Sequence, residues 1–332
     1  MRLAVLVLLT ATAFAQWQSQ ASPTKESLRA VSILDRENIW ASGTHGTYVM
    51  TRDGGKTWNV GKVPGAEDLD FRGVKVFPGD VFLLASGTGD KSRIYRLPIG
   101  KQWELLYTNP EPKGFFDCMV FADERHAVVI GDPVNGKSQV LRTRDGGQTW
   151  QYVDPKNIPL AIDGEGSFAA SNSCVTSNGI ENIWFSTGGP AARVFHSTDG
   201  GETWAVADTP IVRGAPSQGT FSIAFRDGLH GVVVGGDYQH PEQTGPHLAR
   251  TEDGGKTWKL ADAMPQKFFS AVAYIGGTSP GIIVVGPAGF GLSRDELHSW
   301  NLSGGEGFHA LESKQGVVVA VGANGKIAML KP

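Results

Sequence analysis

Short apolar runs that end in glycine recur along the whole chain. "FFDCMVF" (115–121), "TFSIAF" (220–225) and "GVVVGGDY" (231–238) each read as a short strand bounded by turn residues. Their order is regular. An apolar strand is followed by a second that ends in Gly; a loop and a third strand then lead into an eight-residue box. The box is "TRDGGKTW" at 51–58, "TRDGGQTW" at 143–150, "STDGGETW" at 197–204 and "TEDGGKTW" at 251–258. Its Trp opens one more strand, which makes four strands per repeat.

Two degenerate copies complete the series. "RLPIGKQW" ends at Trp103 without the Asp and the second Gly, and "SRDELHSW" ends at Trp300, keeping Asp295 but losing both glycines. The box tryptophans are therefore Trp58, Trp103, Trp150, Trp204, Trp258 and Trp300, 42 to 54 residues apart. Three apolar strands follow at 308–313, 317–322 and 326–331, and Trp17 lies 41 residues before Trp58. The pattern predicts an all-β, seven-bladed β-propeller of four-stranded antiparallel blades, its last blade closed by the N-terminal strand. Closure of this kind removes the open sheet edge.

The box chemistry is that of a hairpin turn. An Asp side chain accepts nearby backbone N–H groups, glycines take positive φ cheaply, and the Trp buries up to about 250 Å² beside the turn. Asp53, Asp145, Asp199 and Asp253, with Trp58, Trp150, Trp204 and Trp258, are accordingly read as structural rather than catalytic. The motif S/T-x-D-G-G-x-T-W resembles the Asp box, or bacterial neuraminidase repeat, of sialidases and many other propellers. With Gly-containing strands just upstream, the chain most resembles the photosystem II stability and assembly factor family of secreted seven-bladed propellers. That resemblance implies chaperone-like docking of a membrane-protein subunit. Many bacterial relatives carry a generic oxidoreductase label, for which these residues offer no support.

Composition narrows the function classes. Charged residues are 19 % and hydrophobic residues 40 %, as in a globular chain. With 30 basic and 33 acidic residues and no basic run, the chain lacks the footprint of a nucleic-acid binder. "MRLAVLVLLTATAFA" at 1–15 reads as a secretory leader cleaved after Ala15, too short to span a bilayer. The expected mature protein is a secreted or periplasmic monomer, a single propeller over 16–332 that does not span the membrane. Cys118 and Cys174 occupy matching inner-strand positions, so their side chains are expected to point the same rotational way and remain two buried free thiols.

Binding residues favour loops on a rigid scaffold, so candidates lie on the face opposite the boxes. Its longest segments are 154–168, 208–219 and 235–247, all in blades 3 to 5. They and their neighbours supply the candidate ligand residues Asp132, Asp163, Glu165, Asn172, Arg213, Asp237, Tyr238 and His240. Asp117 and Arg226 lie near innermost strands. This mixture suits a protein or peptide segment, a polar small molecule or a glycan. A non-catalytic scaffold without cofactor or metal is preferred to an enzyme. The alternative is a sialidase-like glycosidase using Asp132 with Asp237, or Asp163 with Glu165. "YRLP" at 95–98 resembles a sialidase motif, but its Arg96 precedes a degenerate box rather than lying on the first inner strand. His240, Glu242 and His247 lack the usual zinc spacing, and "GTGDKS" (87–92) and "GPAGFG" (286–291) open no helix as a dinucleotide fingerprint must.

Overall fold

Most inner strands are largely buried because neighbouring blades cover both of their faces. Leu28–Ile33, Phe71–Val76 and Phe116–Phe121 are almost wholly buried, whereas outer strands such as Asn59–Lys62 and Asn301–Ser303 are mainly exposed. A computed structural model describes residues 16–264, 267–276, 281–305 and 307–330, so the leader at 1–15 lies outside the described residues. It contains seven four-stranded antiparallel sheets. Blades 1 to 6 run in chain order from inner to outer strand over 28–62, 71–108, 116–152, 175–208, 218–260 and 271–303.

Blade 7 is built from both ends of the described chain. Ala310–Lys314, Val317–Val321 and Ile327–Leu330 form its inner three strands, and Trp17–Ser19 is the outermost. Trp17 pairs with Leu330 and Ser19 with Ala328. The Trp17 ring packs on Phe308 and, edge-on, on Phe290 of blade 6.

Between blades the core is a series of apolar layers. Val128, Ile130 and Val140 of blade 3 meet Ile183, Phe185 and Phe195 of blade 4, for example. Full burial of each such side chain contributes about 1.5–3 kcal/mol. Trp184 joins blades 4 and 5. Fully buried, it stacks on Phe225 at 3.7 Å and His196 at 4.6 Å, and its indole N–H donates to the Gly254 carbonyl at 2.8 Å.

The boxes form the turn that their letters imply. In Asp53, Asp145, Asp199, Asp253 and the degenerate Asp295, Oδ1 accepts a Thr or Ser hydroxyl two residues earlier, at 2.7–3.0 Å. The residue four later donates its N–H to Oδ1 at 2.9 Å and its hydroxyl to Oδ2 at 2.6 Å. In the sixth box Glu296 and Leu297 take the positive φ values, 55° and 74°, that glycines take elsewhere. These bonds hold Asp53, Asp145, Asp253 and Asp295 at about 2, below the usual 3.8. A depressed folded-state pKa gives stability that is complete above the unfolded value and is lost as pH falls through the folded one. Tryptophan fluorescence should therefore report acid unfolding between about pH 4 and pH 2. Asp199→Ala should cost roughly 1–2 kcal/mol and leave ligand affinity of the folded protein unchanged; lost binding at an unchanged melting temperature would contradict a purely structural role.

One expectation is overturned. Cys118 and Cys174 form a disulfide, with Cα atoms 6.0 Å apart. Alternation along a regular strand would turn Cys174 away from blade 3. The regular inner strand of blade 4 begins only at Val175, however, and the preceding chain bends through Asn172 at φ 61°. Both Cys174 and Val175 consequently face blade 3, where Cys118 lies.

Candidate functional site

Strand-one-to-two hairpins share a face with the boxes: Gly54, Gly146, Gly200 and Gly254 donate their N–H groups to carbonyls of those hairpins. The other loops lie on the opposite face. There the link between blades 3 and 4 folds across the propeller axis. Arg72 of blade 2 donates to the Ala169 carbonyl at 3.0 Å, and Ser171 donates to the Ser270 carbonyl of blade 6 at 2.8 Å. Asn172 bridges to Met119 in both directions, accepting its N–H at 2.8 Å and donating to its carbonyl at 3.1 Å. Segment 169–172 thus plugs that end of the axial channel. Asn172, a candidate ligand residue, serves the plug.

Beside the plug a cleft of about 580 Å³ opens between blades 3 and 4. Its walls bring together three candidates, Asp132, Asp163 and Glu165, with Lys113 and Phe168. They differ in availability. Glu165 is buried and fully engaged: Arg193 Nε donates to Oε1 at 2.9 Å, Thr187 donates to Oε1 at 2.5 Å, and the Ile162 N–H donates to Oε2 at 2.8 Å. It ties the link to blade 4. Asp163 is exposed at the rim. Asp132 accepts one bond, from the Ser167 N–H at 3.1 Å, and burial raises its carboxyl to about 6.

The blade 5 candidates form a separate group. Asp237 is 4 % exposed and accepts from the Gln239 N–H at 3.0 Å and contacts His240 Nδ1 at 3.1 Å. Burial raises its carboxyl, but bonds from Ser217, His240, Gln239 and Gln218 outweigh this and hold it at about 2. Tyr238 is exposed, its ring edge-on to the stacked pair Phe168–Phe221. Arg213 donates to the Thr209 carbonyl at 2.9 Å. Glu242 pairs with Lys267 and His247 binds the Lys267 carbonyl, so neither converges with His240. Arg96 of the sialidase-like motif forks onto Asp80 at 2.7 and 2.9 Å. A second groove, about 410 Å³, lies on the box face by Asp199, whose oxygens already serve the turn.

Apart from Asp117, already noted near an innermost strand, the residues at the axis escaped sequence reasoning. Four inner strands are bulged at one register, between Leu28 and Ala30, Phe71 and Gly73, Phe116 and Cys118, and Thr220 and Ser222. A bulge re-aims the extra side chain. Those residues are Arg29, Arg72, Asp117 and Phe221. Arg29 is part-buried, and its Nε is enclosed without a hydrogen-bond partner. Burial, then the charge of Arg72, lowers the Arg29 pKa. Burial, then Arg29, lowers that of His309, which is neutral at pH 7. The available signal was a recurring column, a charged residue after the first apolar residue in "SLRAV", "DFRGV" and "FFDCM".

The BNR/Asp-box repeat family matches residues 195–205, which contain the whole fourth-blade box. The photosystem II assembly protein Ycf48 of Synechococcus sp. (strain JA-2-3B'a(2-13)) is 27 % identical over 290 residues, spanning 76 % of this chain and 82 % of that protein. YCF48 from Cyanidioschyzon merolae superposes with a TM-score of 0.67 at 16 % identity, over 95 % of this chain and 99 % of that one. A structure of YCF48 bound to D1 peptide superposes at 0.63 and 16 % identity, over 97 % of each chain. The chain is a seven-bladed β-propeller with Asp-box turns, similar in sequence and in fold to these photosystem II assembly proteins.

Proposed function

We propose that this chain is an exported, non-catalytic scaffold that docks a peptide segment of a partner protein on the face opposite the Asp boxes, in an assembly-factor-like role. The observation that carries this reading is the pair of arginines, Arg29 and Arg72, at the axis of that face, with Arg29 Nε enclosed and without a hydrogen-bond partner. Arg29 and Arg72 share the single nearby carboxylate of Asp70, so the axis keeps a positive excess that favours an anionic partner group, and a peptide carboxylate matches a guanidinium fork. A similar fold, YCF48, is solved bound to D1 peptide, which supports peptide docking as the kind of function. Asp163, Tyr238 and His240 are exposed on the surrounding loops and are the proposed rim contacts. Leader cleavage after Ala15 would place the mature monomer outside the cytoplasm, where a Cys118–Cys174 bond persists.

The test is fluorescence anisotropy with labelled peptides carrying a free or an amidated C-terminus. The free carboxylate should bind, Arg29→Ala should weaken it at least about tenfold, and Arg29→Lys should restore part of the loss. Equal binding of the amidated peptide, or indifference to Arg29→Ala in a folded variant, would refute the assignment.

A further inference from the structure

We infer that the cleft between blades 3 and 4 is a subsite for a basic side chain, lysine or arginine, of the docked peptide, with Asp132 as its counter-ion and Phe168 as its aromatic wall. The inference deepens the peptide-docking reading and rests on it.

Three observations point there. First, the cleft is built on glycine contacts between separate segments. Gly166 bridges Gly188, and Gly188 bridges Gly219 of blade 5. A Cβ at Gly188 would lie 2.2 Å from the Phe168 ring, and one at Gly166 would lie 2.4 Å from Asp132 Oδ1. These close approaches set the Phe168 wall and the Asp132 carboxylate in place before any ligand arrives.

Second, Asp132 is a carboxylate with bonding capacity to spare. Its one hydrogen bond is to Oδ1, and among the described residues it has no ion-pair partner. The other charges around it do not supply one. Glu165 and Arg193 satisfy each other, Asp163 has the same sign, and Lys113 lines the cleft without pairing. A carboxylate withdrawn from water gains most from a bound cation.

Third, Asp117 adjoins Asp132 and is 1 % exposed, with Oδ2 enclosed and unbonded. Burial, then the Asp132 charge, pushes its carboxyl well up, against a smaller opposing effect from Arg72. That shift favours the neutral form of Asp117 and leaves Asp132 as the charged carboxylate of the pair, the one that lines the cleft. Phe168, held in place by its stack on Phe221 at 3.8 Å, lines the cleft and adds an aromatic surface against which an aliphatic stem can pack.

The test uses Ac-Ala-Ala-Lys-Ala-Ala-NH2, which carries no carboxylate and so does not engage the Arg29 site. Its norleucine counterpart is the control, and binding is read by NMR shift titration. The lysine peptide should bind and the norleucine peptide should bind at least about tenfold more weakly. Asp132→Asn, which can still accept the Ser167 N–H, should weaken the lysine peptide as much without lowering the melting temperature. Lowering the pH from 7.5 to 5 should weaken it too, because protonation of Asp132 removes the counter-charge. Lys113→Ala should strengthen binding. Equal affinity for the two peptides, no titration of either, or unchanged binding to Asp132→Asn would overturn the subsite. Carboxylate-peptide binding that persists in Asp132→Asn would leave the broader docking reading intact.

Discussion

Trp184→Ala should be the most damaging single substitution, costing roughly 3–5 kcal/mol in denaturant unfolding. Trp184 is fully buried between the Phe225 and His196 rings, and its N–H reaches the Gly254 carbonyl in the next blade's box. Truncation would empty the volume between two sheets and strip an enclosed carbonyl of its donor. Both stacked rings are held by their own strands, so collapse into the hole is limited. Burial lowers His196 to about 4, so the ring is neutral at pH 7 and cannot gain by charging in the widened space. Trp184→Phe separates the contributions. It keeps most of the stack but loses the hydrogen bond, and should cost only about 1–2 kcal/mol. A loss below about 1 kcal/mol for the alanine variant would show that blades 4 and 5 do not depend on this staple.

The second large effect should come from the disulfide. Cys118 and Cys174 are 56 residues apart, and closing a loop of that length in the unfolded chain corresponds to roughly 4 kcal/mol in the chain-entropy account. Cys174→Ser should lower stability on that scale, and a reductant should lower the melting temperature of the wild type but not of the variant. A non-reducing mass two protons below the dithiol value should accompany this. An intact dithiol mass in protein purified from an oxidising compartment would contradict the bond. The bond also secures the plug, because Cys174 ends the segment whose Ala169, Ser171 and Asn172 contact three other blades. Reduction should therefore disturb the plugged end of the axial channel before the whole propeller unfolds.

Much of the architecture was legible in the letters because its determinants are local. An Asp, two glycines and a hydroxyl within eight residues close their own turn, so each box announces a hairpin wherever it occurs. The degenerate sixth box shows how robust the rule is: Asp295 makes the same bonds although its glycines are gone. Strand closure by Trp17 was readable because the Trp period exposed a missing fourth strand, and the Trp17–Leu330 pairing fills it.

The candidate site was legible only in part. The blade 3 to 4 link supplied Asp163 and Glu165 and the blade 3 loop supplied Asp132, and the three line one cleft. Their roles diverge because Arg193, remote in sequence, pairs with Glu165, whereas among the described residues Asp132 has no ion-pair partner. The axial arginines escaped notice because a strand pattern does not show a bulge, and without the bulge Arg29 and Arg72 read as ordinary inner-strand residues. The cysteines were misjudged for the same reason: side-chain direction was extrapolated from alternation to a position one residue before the strand begins.

By itself, then, the sequence determined the repeat, the blade count, the closure of the ring and the structural use of the box carboxylates, since each depends on contacts within a few residues or on a period. Only the tertiary structure decided which inner-strand groups meet at the axis, which carboxylate is left without a partner and which cysteines bond. Those outcomes depend on bulges, bends and distances between blades, and a repeat that makes blades equivalent on paper carries no record of where each departs from the others.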